Sequence, residues 1–154
     1  MRHARVQTGR EPERFELETT GTAIIHNTQL ATSSLLDQKA LGIKISLDDF
    51  GTGYSSMSYI QDFPFDRIKI DRSFVTSMNA NVKSRAIVEA IIHLAHSLDI
   101  PVVAEGVETE DQAEALAQLA CEELQGYLIA APAPFEDMVA RVLADNPIFE
   151  IEVA

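Results

Sequence analysis

Five short strand-like stretches of this chain alternate with helix-like ones, and three of the five alternate apolar and polar residues. Arg14–Thr19 (RFELET) sets Phe15 and Leu17 among polar neighbours, and Ile43–Leu47 (IKISL) and Arg67–Asp71 (RIKID) repeat the pattern. Pro101–Ala104 (PVVA) is a short apolar run, and Glu123–Leu128 (ELQGYL) is the last of the five. A period of two over such lengths predicts β-strands. Between them the period lengthens. In Ser84–Leu98 the residues Ile87, Ile91, Leu94 and Leu98 fall at i, i+4, i+7 and i+11, with Val88, Ile92 and Ala95 beside them, which predicts a helix with one wide apolar face. A second helix begins at Glu110 behind a capping box of Thr109 and Gln112 and carries Ala113, Leu116, Ala117 and Leu119. Leu30–Leu41 and Phe135–Leu143 are two further helices, and a short one fits around Ser56–Ile60.

The resulting order, β-α-β-β-α-β-α-β-α, implies a parallel sheet. Two architectures meet it, an open doubly wound sheet and a (β/α)8 barrel. A barrel takes about 250 residues, so a chain of 154 residues would hold little more than half of one. Phe15, Leu17, Ile45 and Val103 are the apolar residues expected to face the interior of such a barrel. With the other strands missing, that face and two open edges would favour pairing with a second copy.

Composition narrows the function. With 46% hydrophobic and 23% charged residues the chain is globular. No apolar run approaches the roughly 18 residues that span a bilayer, and MRHARVQTGR has no apolar stretch behind its arginines, so it reads as a frayed terminus rather than a secretory signal. Lysine and arginine number 12 against 24 acids, which argues against binding to a nucleic-acid polymer. An anionic ligand would need metal ions or a few well-placed cations. Cys121 is the single cysteine, so no internal disulfide forms, a reducing cytoplasm is the default compartment, and the residue reads as a small core side chain.

The chemistry gathers at strand ends. Glu18 ends the first strand, Asp48 and Asp49 the second, Asp71 the third and Glu105 the fourth, while Gln125 lies in the fifth. In an α/β barrel these ends form one mouth. Any single acid there is explained by the preference of Asp and Glu for helix N-termini; four consecutive strands ending in carboxylates are not. Asp48, Asp49 and Asp71 are hard oxygen donors suited to Mg2+ or Mn2+, and two such ions roughly 3.5–4 Å apart can clamp a phosphoryl group. Gly51-Thr52-Gly53 lets the chain break just after the aspartates. Lys69 and Asp71 share one strand face, with Ile68 and Ile70 on the other. The alternative is a solvated edge strand with a surface ion pair. Glu105 is placed to take a proton from water. Glu108 either supports it or merely precedes a capped helix. His93 and His96, three apart on a helix, have no acid or cysteine in sequence to complete a metal set.

Taken together, Asp48–Ser56 (DDFGTGYSS), Asp66–Val75 (DRIKIDRSFV), Val103–Thr109 (VAEGVET) and Gln125–Leu128 (QGYL), in this order, closely resemble the EAL family of bacterial cyclic di-GMP phosphodiesterases, and Glu16–Thr19 (ELET) resembles the family strand bearing a metal-binding glutamate. The likeness covers residues 13 to about 143. It implies an α/β fold, a TIM-like (β/α)8 barrel of the EAL type, here reduced to about its last five strands. The chain then divides into a frayed segment 1–12, a partial EAL domain 13–145 and a tail 146–154. The resemblance implies a bacterial signal-transduction hydrolase that uses two Mg2+ or Mn2+ ions to open cyclic di-GMP to linear pGpG. By motif, Glu18, Asp48, Asp49 and Asp71 would be metal ligands. Lys69 would hold the catalytic water or the metal site, Glu105 would serve as general base or orient water, Gln125 would shape the substrate site, and Glu108 would support that shell. The DDFGTG loop would couple the metals to dimer contacts.

Departures from the family pattern bear on activity. The E-A-L segment with its metal-binding glutamate, and an asparagine ligand on a later strand, belong before the region of likeness; Glu114-Ala115-Leu116 spells the letters on a late amphipathic helix and is a decoy. Gly21 stands where a glutamate that steadies the DDFGTG loop is usual, and Ala131 where a basic residue is usual. Three readings stay open: a truncated phosphodiesterase inactive by itself, a non-catalytic module that binds cyclic di-GMP or a protein partner, and a fragment with no independent function.

Overall fold

The computed structural model of the chain describes residues 11–21, 28–52, 60 and 63–145. After a single 3-10 turn at Pro12–Arg14, the elements are β1 (Glu16–Thr20), α1 (Thr28–Ala40), β2 (Lys44–Phe50), β3 (Arg67–Ile70), α2 (Arg72–Ser77), α3 (Val82–Ser97), β4 (Val102–Glu105), α4 (Glu110–Gln118), β5 (Glu123–Gln125) and α5 (Phe135–Asp145). The five strands pair in parallel in the order β1-β2-β3-β4-β5. A doubly wound sheet reverses its strand order at a switch point. This one never reverses, which is the winding of a TIM-like barrel. Residues 1–10 of the segment read as frayed, most of the Ser56–Ile60 helix, the later DDFGTGYSS residues and the tail 146–154 lie outside the described residues; Pro12, also assigned to that segment, is buried in the 3-10 turn.

One face of the sheet is the core. Ile45, Leu47, Ile68, Ile70, Val102 and Ala104 are buried against Leu35 of α1, Val75 of α2, Val88, Ile91, Ile92 and Ala95 of α3, and Leu116 of α4. The apolar stripe of α3 therefore runs 88-91-92-95, and Ile87 and Leu98, expected at its centre, lie on its exposed flanks. α2 was not expected. It is short, with only Phe74 and Val75 as an apolar signal, but Asp71 caps it by accepting from the Ser73 N–H at 3.0 Å. The Asp66 carboxylate anchors the start of β3, accepting from the Ile45 N–H at 2.7 Å and from Lys39 at 2.5 Å. α4 carries the expected capping box, with Thr109 and Gln112 satisfying each other's backbone N–H groups. Thr109→Ala is expected to lower stability by about 1 kcal/mol in denaturant titration; an unchanged midpoint would show that Gln112 alone holds this helix end.

The register corrects one expectation. Leu17 pairs with Ile45, and Leu47, two residues beyond Ile45, pairs with Ile68. In a parallel ladder such partners share a face, so Leu17, Ile45 and, by alternation, Phe15 belong to the helix-covered side rather than the barrel interior. Of the four residues expected inside, only Val103 is there, beside Lys69 and Glu123. The rest of that concave face is Glu16, Glu18, Thr20, Lys44, Ser46, Asp48, Arg67, Lys69, Glu105, Glu123 and Gln125. The strands were read correctly as alternating, but the polar members turn inward. The exposed apolar interior that was to drive self-association is absent among the described residues.

Candidate metal and phosphodiester site

The concave face ends in a cluster of carboxylates around one lysine. Lys69 lies at the middle of β3 with its side chain 8% exposed. Its Nζ donates to Glu18 Oε1 of β1 at 2.6 Å and lies 2.6 Å from Glu105 Oε1 of β4 and 3.5 Å from Asp48 Oδ1 of β2. Burial alone would lower the ammonium's pKa, but the bonds to Glu105 and Glu18 outweigh it and hold Lys69 above the usual lysine range. Ile68 and Ile70, on the opposite face, are fully buried.

A bulge brings the two aspartates together. Leu47 pairs with Ile68 and Phe50 with Ile70, so Asp48 and Asp49 together stand opposite the single residue Lys69. Asp49 takes a positive φ of 53° to allow this. In a regular strand adjacent side chains point to opposite faces. Here both carboxylates reach the mouth, and Phe50 returns to the core at 5% exposure. Gly51 follows at φ 101°, a conformation that leaves a Cβ no room beside Phe74. Oxygens of Asp48, Asp49 and Glu105 lie within 4.8 Å of one another. Partial burial and the nearby charges of Asp48 and Asp71 push the Asp49 carboxyl above its ordinary range.

The structure thus gathers Asp48, Asp49 and Glu105 as one oxygen set, joins Glu18 to it through Lys69, and has Asp71 near enough to Asp49 to act on its charge while it caps α2. Glu108 is more peripheral: it pairs with Arg72 at 3.0 Å, and its N–H donates to Gln112 Oε1. Gln125 lines a hollow of about 200 Å3 with Arg72, Glu105, Gly106, Glu108 and Tyr127. Arg72 and Tyr127 were not singled out from the sequence. The signal for Arg72 was its place directly after a strand-end aspartate. Glu114, in the decoy triplet, is exposed on α4 while Ala115 and Leu116 are buried. His93 is exposed, and His96 lies 2.9 Å from Glu122; among the described residues no metal set forms around either. Cys121 packs against the core, and burial pushes its thiol up to about 11, so it is a poor nucleophile.

Gly126 also lines the hollow beside Gln125. A Cβ there would lie 2.1 Å from the Val107 carbonyl oxygen and 2.3 Å from its nitrogen. This close approach ends β5 at Gln125, where six residues of strand were expected, and Val107 instead bonds Gln125 O and Leu128 N. Gly126→Ala must shift backbone, and a loss of about 2 kcal/mol is expected in denaturant titration. A wild-type midpoint would show slack in this loop.

A parallel barrel-type sheet with an all-oxygen acidic mouth around a buried lysine offers the kind of donor set that hard divalent cations take. The comparisons agree. The family model for the EAL domain matches residues 1–132, and the chain belongs to that family of cyclic di-GMP phosphodiesterases. It is 40% identical over 142 residues to the bifunctional diguanylate cyclase/cyclic di-GMP phosphodiesterase MucR of Pseudomonas aeruginosa, covering 92% of this chain and 21% of that protein. The structure of the MucR phosphodiesterase in complex with c-di-GMP superimposes with a TM-score of 0.85 at 40% identity, over 89% of this chain and 56% of that one. A manganese and cyclic di-GMP complex of Klebsiella pneumoniae BlrP1 superimposes with a TM-score of 0.74 at 32% identity, over 80% of this chain and 31% of that one. The chain spans about a fifth of the length of the curated relatives it matches. Among the described residues no helix is long and apolar enough to cross a membrane.

Proposed function

We propose that these residues form the C-terminal part of a metal-dependent cyclic di-GMP phosphodiesterase site that yields linear pGpG. The observation that carries this reading is the convergence of acids from β1, β2 and β4 on Lys69, with three of the oxygens within 4.8 Å. The donor set fits Mg2+ or Mn2+: every candidate ligand is a carboxylate oxygen. Charge supports two ions. Glu18, Asp48, Asp49, Asp71 and Glu105 carry five negative charges against one from Lys69, leaving a deficit of four that two divalent cations would balance. Glu18, Asp48, Asp49 and Asp71 would hold them, and bound cations of this kind acidify water and stabilise a leaving oxygen. Lys69 keeps Glu18 and Glu105 in place. Glu105 is positioned to accept a proton from an attacking water, and Gln125, with Arg72 and Tyr127, offers polar and aromatic surface to the nucleotide.

A second reading, a module that binds cyclic di-GMP without cleaving it, draws support from Lys69 itself, which already neutralises part of the cluster. Chromatography of the nucleotide separates the two. With these residues joined to an EAL-type N-terminal half, Mn2+-dependent release of pGpG is expected, with Glu105→Gln inactive. Binding without release would favour the second reading. Cleavage without added divalent cation, or undiminished in Glu105→Gln, would overturn the mechanism.

A further inference from the structure

Lys69 is not the only cation on the concave face. Two residues earlier on β3, and so on the same side, Arg67 divides its guanidinium between two acids. Nη1 donates to Glu16 Oε2 of β1 at 2.7 Å, and Nη2 donates to Glu123 Oε1 of β5 at 2.5 Å. β1 and β5 are the outer strands of the five. In a flat sheet they would stand four strand spacings apart, roughly 19 Å. The two terminal nitrogens of a guanidinium are fixed in one planar fork and cannot lean in opposite directions. Both contacts therefore require that the sheet curl over β3 and carry its edges toward each other.

This tie lies one layer beneath the acid cluster. Glu16 precedes Glu18 by two residues on β1, and Glu123 precedes Gln125 by two on β5, whose neighbour in register is Glu105. We infer that Arg67 is a positioning residue: by holding Glu16 and Glu123 to one fork it sets the curvature that brings Glu18 from one side, and Glu105 with Gln125 from the other, to Lys69. Arg67 is about a quarter exposed and Glu123 half exposed, so the two ion pairs act through geometry more than through stability. A lysine here would be a point charge without the fork and would not span both acids. The consequence for metal affinity rests on the proposed site; the consequence for Lys69 does not.

The test follows the Lys69 ammonium resonance by 15N-correlated NMR in metal-free protein, and Mn2+ binding by calorimetry. Arg67→Met is expected to shift or broaden the Lys69 signal and to weaken Mn2+ binding by about tenfold or more, as loss of an outer support to a metal site does. Arg67→Lys recovers little of either. Glu16→Ala and Glu123→Ala each give a smaller shift, the first by loosening the Glu18 contact and the second the Glu105 contact. Thr109→Ala, which weakens the fold elsewhere, leaves the Lys69 signal in place, so general destabilisation is distinguished from repositioning. An Arg67→Met protein that keeps the wild-type Lys69 signal overturns the inference. Should that variant fail to fold, the single glutamate variants decide: a shift in either supports the tie, and wild-type signals in both overturn it. If wild-type protein binds no Mn2+, the metal reading falls while the Lys69 signal still judges Arg67.

Discussion

Lys69→Met is expected to cost about 3 kcal/mol of folding stability at neutral pH without divalent cations, the lower end of the range for removing one partner of a buried ion pair. The lower end applies because the partners are partly solvated: the side chains of Asp48 and Glu105 are about a fifth exposed, and Glu18 about half. Methionine fills the space of the lysine stem but leaves three carboxylates facing one another. Added Mn2+ is expected to restore part of the loss, since a cation then replaces the ammonium. Denaturant titration with and without the metal measures both. A variant as stable as wild type without metal would show that the carboxylates separate freely and that Lys69 does not organise them. The same linkage has a pH signature. The folded-state pKa of Lys69 is raised above its ordinary value of 10.5. Its contribution is therefore fully present below that value and is lost as pH rises from there through the folded-state pKa. Wild type should lose stability at strongly alkaline pH faster than Lys69→Met does.

The double substitution Asp48→Asn with Asp49→Asn is expected to act in opposite directions on binding and on stability. Loss of supports outside a metal's ligand shell already costs roughly 10–100-fold in affinity, so loss of two ligands should exceed that and remove the calorimetric signal for Mn2+. The metal-free variant, in contrast, should melt higher than wild type. The raised pKa of Asp49, caused by partial burial and by the charges of Asp48 and Asp71, means that its ionised form is disfavoured in the folded protein. Equal Mn2+ heats from both proteins would place the metal elsewhere. A lower melting point for the metal-free variant would show that the aspartates are held by hydrogen bonds rather than strained by repulsion.

Much of this was legible from residue pattern. Period two placed Lys69 opposite Ile68 and Ile70, and carboxylates at successive strand ends marked one mouth. What pattern could not supply was the direction of the faces. Leu17 and Ile45 alternate with polar residues in either orientation, and the assumption that apolar means inward fails where the interior is a binding site and the helices cover the other side. Period two applied to Lys69 reached forward to Asp71, where the strand had already ended in a helix cap, but extended back to Arg67 it would have found another cation on the same face of β3. The bulge was also invisible, because a parallel register is fixed by strands distant in sequence. β5 was overextended because the contact that stops it, Gly126 on the Val107 backbone, is between segments about twenty residues apart.

The extra residue in β2 also limits how this sequence can drift. Removing either aspartate by deletion would restore the regular ladder, with the one residue left opposite Lys69 at the mouth and Phe50 still opposite Ile70 in the core, so the sheet keeps its packing and loses one carboxylate. The packing therefore tolerates that deletion, and the limit is set by the chemistry: two carboxylates at one point of the mouth need both residues. Descendants that abandon the chemistry are thus free to shorten the strand here by one residue, so that its length reports whether both acids are still in use.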